Sequence, residues 1–335
     1  MNLPDKYKGG ISGLFNKNGT SCYINSLIQS LSNTNLITEY VLNKKYIINN
    51  NNNTAETTLI NEWYKLLDGI WESNCKIQPN SFLNILEKKI EANYKFNIYQ
   101  QNDVHEFLLH FIDQLNEEIG INLEININYD KKSLTELDKL AILAIQNWEN
   151  NFKKLYTYLH KILFSQYLSI IQCKDCNHKN FKFEPALCIE LELSHDNLIG
   201  CLNNFIKIEH LEGYKCDNCS QNTNVFKKLI FWKHAKILPI ILKRFTYQGK
   251  INNLINIPLE LNFDEYCINY KNKSTTYSLY SIINHIGDIN CGHYYSFTKS
   301  LNDNKWYAFN DEHIQVINED QLITNNAYCL FYILN

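Results

Sequence analysis

The stretch Gly13-Leu-Phe-Asn-Lys-Asn-Gly-Thr-Ser-Cys22-Tyr-Ile-Asn-Ser-Leu-Ile-Gln-Ser-Leu31 places a single cysteine at the point where an irregular segment becomes a helix. Small and polar residues precede Cys22, and apolar residues follow it at helical spacing. A helix that begins at or just before Cys22 would present unpaired backbone N–H groups and a positive dipole end, which favour a thiolate over a thiol. The local pattern leaves two interpretations open, a nucleophilic cysteine and a buried structural one.

The composition is that of a large soluble protein with an extensive core. The chain has 335 residues, 45% of them hydrophobic, and a net charge of −3. The near-neutral charge provides no basic field for nucleic acid. No apolar run reaches the roughly 18 residues that span a bilayer, and no signal peptide is evident. We therefore expect a monomer without nucleic-acid or membrane partners. Its expected location is intracellular, in the cytoplasm, the nucleus or both, or inside a host cell if the source is viral.

The two halves of the chain have different periodicities. Helical spacing of apolar residues recurs in the first half, over residues 59–70, from residue 80, over 103–118 and over 134–163. From Tyr167 onward, short runs of branched and aromatic residues alternate with polar turns, which predicts antiparallel strands. The predicted strands include Cys188–Leu193, Ile237–Leu242, Tyr277–Ile283 and Ala327–Ile333. The pattern predicts one α+β unit with a β insertion in the middle.

Two CxxC pairs, Cys173/Cys176 and Cys216/Cys219, predict a structural metal site. Four thiolates complete a tetrahedral zinc site and leave no open position for catalysis. The strand Cys188–Leu193 and the segment after it are expected to fill the long gap between the pairs as a finger-like hairpin. Two disulfides or unligated thiols are the alternatives.

Near the C-terminus, His293 follows a Gly287–Gly292 turn, and Asn310 and Asp311 follow a short apolar run. A cysteine protease needs a base beside its thiolate and a third group that orients the imidazole. Cys22, His293 and Asn310 supply these three residue types. His285, by contrast, is expected to be a structural histidine.

The ordered set of motifs resembles the ubiquitin-specific protease family of cysteine deubiquitinases. The resemblance covers essentially the whole chain and rests on six segments in the family's order. The segments are Gly13–Leu31, Gln101–Leu108, Leu163–Gln166, Ile237–Phe245, Tyr277–Asp311 and Ala327–Tyr332, with both CxxC pairs between them.

This resemblance implies a papain-like hand within one catalytic domain, residues 1–335. A helical thumb would span about residues 11–165, and fingers bearing a structural Zn²⁺ would span about 166–235 and share strands with the palm. An antiparallel β palm would span about 236–335. The implied activity is hydrolysis of the bond after the C-terminal glycine of ubiquitin, with ubiquitin and ubiquitinated proteins as partners.

By the same resemblance, Cys22 attacks the carbonyl, and His293 acts first as base and then as acid. Either Asn310 or Asp311 orients the imidazole, because neighbouring strand residues point to opposite faces. Asp103 and Glu106, in the second motif, would hold the basic tail of ubiquitin. A merely solvated acidic helix face is the alternative for these two residues.

One departure from the family concerns the oxyanion. The family has an asparagine five residues before the cysteine, whereas this chain has Lys17 there, with Asn16 and Asn18 on either side. An extra residue that bulges the loop would allow Asn16 to donate. A loop that misplaces this donor would instead leave a slow enzyme or a ubiquitin-binding pseudoprotease, since an oxyanion donor contributes ~10²–10³ in rate.

Overall fold

The computed structural model describes residues 3–47, 58–94, 96–128, 134–268, 275–288 and 291–335. Eight α-helices lie within these residues: α1 Cys22–Ser32, α2 Asn35–Leu42, α3 Leu59–Glu72, α4 Asn80–Tyr94, α5 Val104–Ile119, α6 Glu136–Phe152, α7 Tyr158–Leu163 and α8 Leu198–Phe205. Among them, none combines the length and the apolar character that crossing a membrane requires.

The helices of the first half confirm the helical periodicity of the sequence, and polar side chains explain where several of them begin. Thr58 caps α3 by accepting a hydrogen bond from the Asn61 amide, and Asp103 caps α5 in the same way. Thr135 begins α6 with a capping box. The sequence analysis missed α2, which follows α1 after a two-residue break.

Sixteen strands lie within the described residues: β1 Gly13–Leu14, β2 Lys76–Ile77, β3 Ser165–Cys173, β4 Lys179–Ala186, β5 Ile189–Glu192, β6 Glu209–Lys215, β7 Asn222–Lys233, β8 Ile237–Lys243, β9 Phe245–Thr246, β10 Gly249–Lys250, β11 Glu260–Asn262, β12 Thr276–Gly287, β13 Gly292–Lys299, β14 Trp306–Asn310, β15 His313–Ile317 and β16 Ala327–Leu334. Most of them form two sheets, one of eight strands and one of four. The prediction of an α+β fold is thereby confirmed.

The eight-stranded sheet, here called the palm, lies beside the helices. Its order is β15-β14-β13-β12-β16-β8-β5, with β11 also paired to β12. All residues of α1 are buried, and α1 packs mainly against β13 of the palm. This contact matters for the site, because α1 begins at Cys22 and β13 carries His293 near its start. Helix and palm share one apolar core that includes Leu27, Leu31 and Ile283.

The four-stranded sheet, here called the fingers, has the order β4-β3-β7-β6 and is antiparallel throughout. The expectation that Cys188–Leu193 belongs to a finger hairpin is wrong. Residues 189–192 form β5, which pairs in parallel with β8 at the edge of the palm. Ile189 and Leu191 are buried there, whereas Glu190 and Glu192 are exposed, so the apolar face of β5 joins the palm core.

Candidate active site

Cys22 lies at the first position of α1, in the wall of a cleft of about 230 Å³ between the helices and the palm. The cleft is lined by Cys22, Tyr23, Gln101, Asn102, Asp103, Phe245, His285, Asp288, Gly292 and Tyr294. The thiol is 2% exposed. It stands at the helix end where backbone N–H groups have no intrahelical acceptor.

His293 joins the cysteine to Asn310. Its Nε2 lies 2.6 Å from Asn310 Oδ1, and its ring also hydrogen-bonds the Cys22 side chain. Because Nε2 is engaged by Asn310, the contact with sulfur falls to Nδ1. The structure therefore brings together Cys22, His293 and Asn310, which are far apart in the chain.

These contacts change the basicity of the imidazole. The hydrogen bond that the protonated ring donates to the Cys22 sulfur is the largest influence, and together with Asn310 and the nearby Asp311 charge it raises the pKa of His293 to about 9. Partial burial acts in the opposite direction but is outweighed. The arrangement favours a protonated imidazole beside the cysteine at neutral pH.

Asp311 lies farther from His293 than Asn310 does, and its carboxylate binds two other side chains of the site. Its Oδ2 lies 3.8 Å from His293 Nε2, beyond hydrogen-bond distance. The same oxygen accepts Asn16 Nδ2 at 2.9 Å, and Oδ1 accepts Asn25 Nδ2 at 2.8 Å. Asp311 therefore connects the strand that carries Asn310 to the loop before Cys22.

The loop before Cys22 accommodates its extra residue without moving Asn16 away from the site. Lys17–Gly19 forms a 3₁₀ turn, in which Asn18 adopts φ 57° and is exposed to solvent. Asn16 Oδ1 accepts the Ser21 amide at 2.9 Å, and Asn16 Nδ2 donates to Asp311. Among the described residues, only one of the two hydrogens on Nδ2 has a partner.

The two acidic residues of the second motif occupy different environments. Asp103 lines the cleft, where its carboxylate accepts the His105 amide at 2.6 Å and the Tyr328 hydroxyl at 2.6 Å. Glu106 is exposed on α5, 3.6 Å from His110 Nε2. The structure thus places Asp103, and not Glu106, in the wall of the cleft.

Sequence reasoning assigned no role to several residues that build the site. Gln101 Oε1 accepts the Gly292 amide at 2.8 Å and so connects the helical side of the cleft to the start of β13. Asn25 and Tyr328 hold Asp311 and Asp103 in place. Gln101, Asn25 and Tyr328 stand within the quoted motifs, but their partners are distant in sequence, and the motifs alone do not reveal them.

The fingers contain a second candidate site, formed by the four predicted metal ligands. The Sγ atoms of Cys173, Cys176, Cys216 and Cys219 all lie within 4.8 Å of one another. The Sγ atoms of Cys173 and Cys219 lie 4.0 Å apart, and those of Cys176 and Cys216 lie 3.7 Å apart. Sulfurs joined in a disulfide lie ~2.05 Å apart, so neither contact is a disulfide.

The donor set fits zinc. With Zn–S bonds of about 2.3 Å, a tetrahedral site places its sulfurs about 3.8 Å apart, close to the two separations in the structure. Cys173 and Cys216 are buried, and the other two are half-buried. The cluster can therefore hold a metal ion in a closed, four-thiolate site between the ends of the finger strands.

Comparison with known proteins extends over nearly the whole chain. Residues 12–332 match the family described as "Ubiquitin carboxyl-terminal hydrolase". The human "Ubiquitin carboxyl-terminal hydrolase 2" is 29% identical over 349 residues, which cover 98% of this chain and 56% of that protein. The Saccharomyces cerevisiae "Ubiquitin carboxyl-terminal hydrolase 8" is 26% identical over 356 residues, covering 97% of this chain and 71% of that protein. The chain thus spans little more than half the length of the human relative.

Solved structures match the fold. A chain of the "SAGA Ubp8/Sgf11/Sus1/Sgf73 DUB module bound to ubiquitin aldehyde" superimposes with a TM-score of 0.77 at 22% identity, covering 100% of this chain and 72% of that chain. A second structure of that module has a TM-score of 0.74 at 24% identity, with 100% and 70% covered. The papain-like arrangement of helical thumb, β palm and fingers is therefore confirmed.

Proposed function

Because this chain belongs to the ubiquitin carboxyl-terminal hydrolase family, we propose that it is a cysteine-type deubiquitinase. It would hydrolyse the isopeptide or peptide bond after the C-terminal glycine of ubiquitin. The observation that carries this proposal is the contact of Cys22 and Asn310 with the same imidazole, His293, beside an open cleft. Ubiquitin and ubiquitinated proteins are the corresponding partners.

In the proposed mechanism, the Cys22 thiolate attacks the carbonyl carbon of the C-terminal glycine of ubiquitin. The negative charge moves to the carbonyl oxygen, and the C–N bond then breaks as His293 gives its proton to the leaving amine. A thioester to Cys22 remains. His293, now neutral, takes a proton from water, which attacks the thioester and releases ubiquitin as its carboxylate.

The neighbouring side chains would stabilise the charges on the imidazole and on the carbonyl oxygen during these steps. Asn310 Oδ1 accepts a hydrogen bond from the Nε2–H of His293 and keeps the ring aligned with the sulfur. Asn16 would donate its remaining amide hydrogen to the oxyanion, and the Asp311 carboxylate holds Asn16 in place for that purpose. Asp103, in the wall of the cleft, would pair with the basic tail of ubiquitin, while Glu106 lies outside that wall and would contribute only at longer range.

We also propose that Zn²⁺ occupies the four-cysteine site. A closed set of four thiolates supplies structural rigidity and takes no part in bond cleavage. Cys173 and Cys176 lie at the end of β3, and Cys216 and Cys219 lie between β6 and β7, so the ion would clamp the finger strands together. Reduced thiols agree with the intracellular location expected from the sequence, which stays a prediction.

A ubiquitin that carries a C-terminal electrophile tests the proposed function directly. The wild-type chain should form a covalent adduct, Cys22→Ala should form none, and Cys75→Ala, which removes an exposed thiol outside the cleft, should react like the wild type. Release of the fluorophore from a ubiquitin conjugate should follow the same order. Ubiquitin binding without an adduct would indicate a pseudoprotease and overturn the proposal.

A further inference from the structure

Lys17 follows Asn16 in the loop that precedes Cys22, and the proposed mechanism gives its side chain no task. The side chain reaches the face of an aromatic ring, with Lys17 Nζ 5.3 Å from the centroid of the Tyr99 ring. An ammonium within about 6 Å of such a centroid is attracted by the negative face of the ring. Within the described residues, Nζ forms no hydrogen bond or ion pair, so the ring is the contact that holds this side chain.

The turn that contains Lys17 has no anchor in the core. It is the 3₁₀ turn Lys17–Gly19, of which no residue is buried. Asn18 and Gly19 are exposed and have φ values of 57° and 73°. The Lys17 amide donates to Ser21 Oγ at 3.0 Å, but this bond lies within the loop. It closes the turn without fixing the turn against another element.

Tyr99, by contrast, is fixed by its own hydrogen bonds. Its hydroxyl donates to Glu87 Oε2 of α4 at 3.0 Å, and its amide donates to Asn97 Oδ1 at 2.9 Å. Burial and the Glu87 carboxylate raise the pKa of Tyr99, so the phenol keeps its proton at neutral pH. A hydroxyl that donates to a carboxylate leaves more negative charge on its ring, which strengthens the attraction for a cation.

The loop that carries Tyr99 is connected to both sides of the catalytic site. Asn102 Nδ2 donates to the Tyr23 hydroxyl of α1 at 3.0 Å. Gln101 Oε1 accepts the Gly292 amide at the start of β13 at 2.8 Å. The contact between the ammonium and the ring therefore attaches the turn before the nucleophile to a fixed part of the site.

The residue that depends on this attachment is Asn16. Its Nδ2 donates to Asp311 Oδ2 at 2.9 Å, which holds the side chain from the palm. Its main chain continues directly into Lys17, so the position of the turn sets the position of the Asn16 backbone. A donor stabilises an oxyanion effectively only if it is already in place when the charge develops. Asn16 therefore needs the turn to be held as well as its own side chain.

We propose that Lys17 is a positioning residue, whose ammonium rests on the Tyr99 ring and so fixes the turn next to the oxyanion donor Asn16. This inference rests on the proposed function and adds to it a residue that acts through Asn16 without touching the substrate. The lysine that departs from the family motif thereby compensates for the extra residue in the loop.

Two substitutions at Lys17 test this role by steady-state hydrolysis of a fluorogenic ubiquitin conjugate. Lys17→Met keeps an apolar stem and removes the cation, so kcat should fall by about 2- to 5-fold, the size of one exposed contact of this kind. KM should change little, because the lost contact acts on the transition state. Lys17→Arg also places a cation over the ring and should keep kcat near the wild-type value. An unchanged kcat in Lys17→Met, an increase in KM alone, or equal losses in the Met and Arg variants would overturn the inference.

A double-mutant cycle tests whether Lys17 acts through Tyr99. Tyr99→Leu removes the aromatic face and should also lower kcat, and Lys17→Met should then cause no further loss in that background. Additive losses would overturn the inference. Thermal unfolding reports whether Tyr99→Leu still folds, and the two Lys17 variants decide the matter if it does not.

Alkylation of Cys22 by iodoacetamide passes through no oxyanion, so its rate should be the same in Lys17→Met as in the wild type. A matching loss there would place the effect on the Cys22–His293 pair and overturn the inference.

Lys44→Met is the matched control, because Lys44 Nζ also lies over a tyrosine ring, 4.2 Å from the centroid of Tyr64, outside the cleft. It should leave kcat and KM unchanged, and a loss of kcat equal to that of Lys17→Met would overturn the inference. A wild-type chain that is inert toward ubiquitin conjugates would instead overturn the proposed function, and the inference with it.

Discussion

At the end of β14, Asn310 and Asp311 are consecutive residues that contact different parts of the site. Asn310 bonds His293 at 2.6 Å, whereas the Asp311 carboxylate remains 3.8 Å from the ring and binds two amide groups. Asp311 has φ 53°, which turns the chain sharply after the strand and separates the two side chains. Two neighbouring residues at the end of β14 thus hold the His293 imidazole and the Asn16 side chain.

Changing Asp311 should therefore affect the stabilisation of the oxyanion. Asp311→Asn tolerates the same backbone conformation but has one acceptor oxygen in place of the two that bind Asn16 and Asn25, so Asn16 should lose its fixed position. We expect kcat for a ubiquitin conjugate to fall by about 10²-fold with KM little changed, because the lost contact acts on the transition state. An increase in KM at unchanged kcat would contradict this assignment.

The raised pKa of His293 predicts an alkaline limit to activity. A folded-state pKa of about 9 means that the imidazolium persists as the pH rises to that value and is lost above it. Loss of this proton removes both the partner of the thiolate and the acid that protonates the leaving amine. We expect kcat/KM to fall with a midpoint near pH 9, and Asn310→Ala to move that midpoint to lower pH. A midpoint close to the ordinary histidine value in the wild type would exclude the imidazolium.

At the scale of the element, Asp103 at the start of α5 has a structural role and, under the proposed function, a role in substrate recognition. Its carboxylate caps the helix and also receives the Tyr328 hydroxyl from β16, which fixes α5 against the palm. The same residue lines the cleft. Capping requires only an oxygen acceptor, whereas pairing with a basic tail requires the negative charge.

Two substitutions separate these tasks. Asp103→Ala should lower stability by about 1 kcal/mol through the lost cap, measured by denaturant unfolding, and should raise KM. Asp103→Asn retains a good capping group, so the free energy of unfolding should stay near that of the wild type while KM for a ubiquitin conjugate still rises. An unchanged KM in Asp103→Asn would show that the tail does not use this charge.

Strand β5 shows that periodicity identifies a strand but does not decide which sheet the strand joins. Alternation of buried and exposed residues in 189–192 correctly indicates a strand, but it carries no information about which sheet the strand joins. Its pairing with β8 depends on residues 240–243, some fifty positions away. The helices were easier to predict, because caps such as Asp103 and the apolar period act within the segment itself.

At the scale of the whole molecule, the proposed zinc ion in the four-cysteine site would make the stability of the fingers depend on a metal. We expect one zinc ion per chain by elemental analysis of the purified protein. Cys173→Ser should lower the melting temperature and weaken ubiquitin binding, because metal binding contributes directly to folding. Alkylation of Cys22 by iodoacetamide should change little, because Cys22 and the cluster lie in different parts of the fold.

The control for this experiment is Cys75→Ser, which removes a cysteine outside the cluster and should leave zinc content and melting temperature unchanged. Folded wild-type protein without bound metal would contradict the zinc assignment. Mass spectrometry that finds disulfides among the four cysteines would contradict it as well.

By itself the sequence determined the elements and the chemical inventory of this protein. Helical period, CxxC spacing and motif order were sufficient to predict α1, several palm strands, the clustering of the four cysteines and the grouping of Cys22, His293 and Asn310. Only the tertiary structure decided which groups meet. Asn16 binds Asp311 across 295 positions, Asn310 rather than Asp311 reaches His293, and the buried Nδ1 of His285 has no hydrogen-bond partner among the described residues. These outcomes depend on the packing of α1 against β13, and no local pattern encodes a distance between side chains that are remote along the chain.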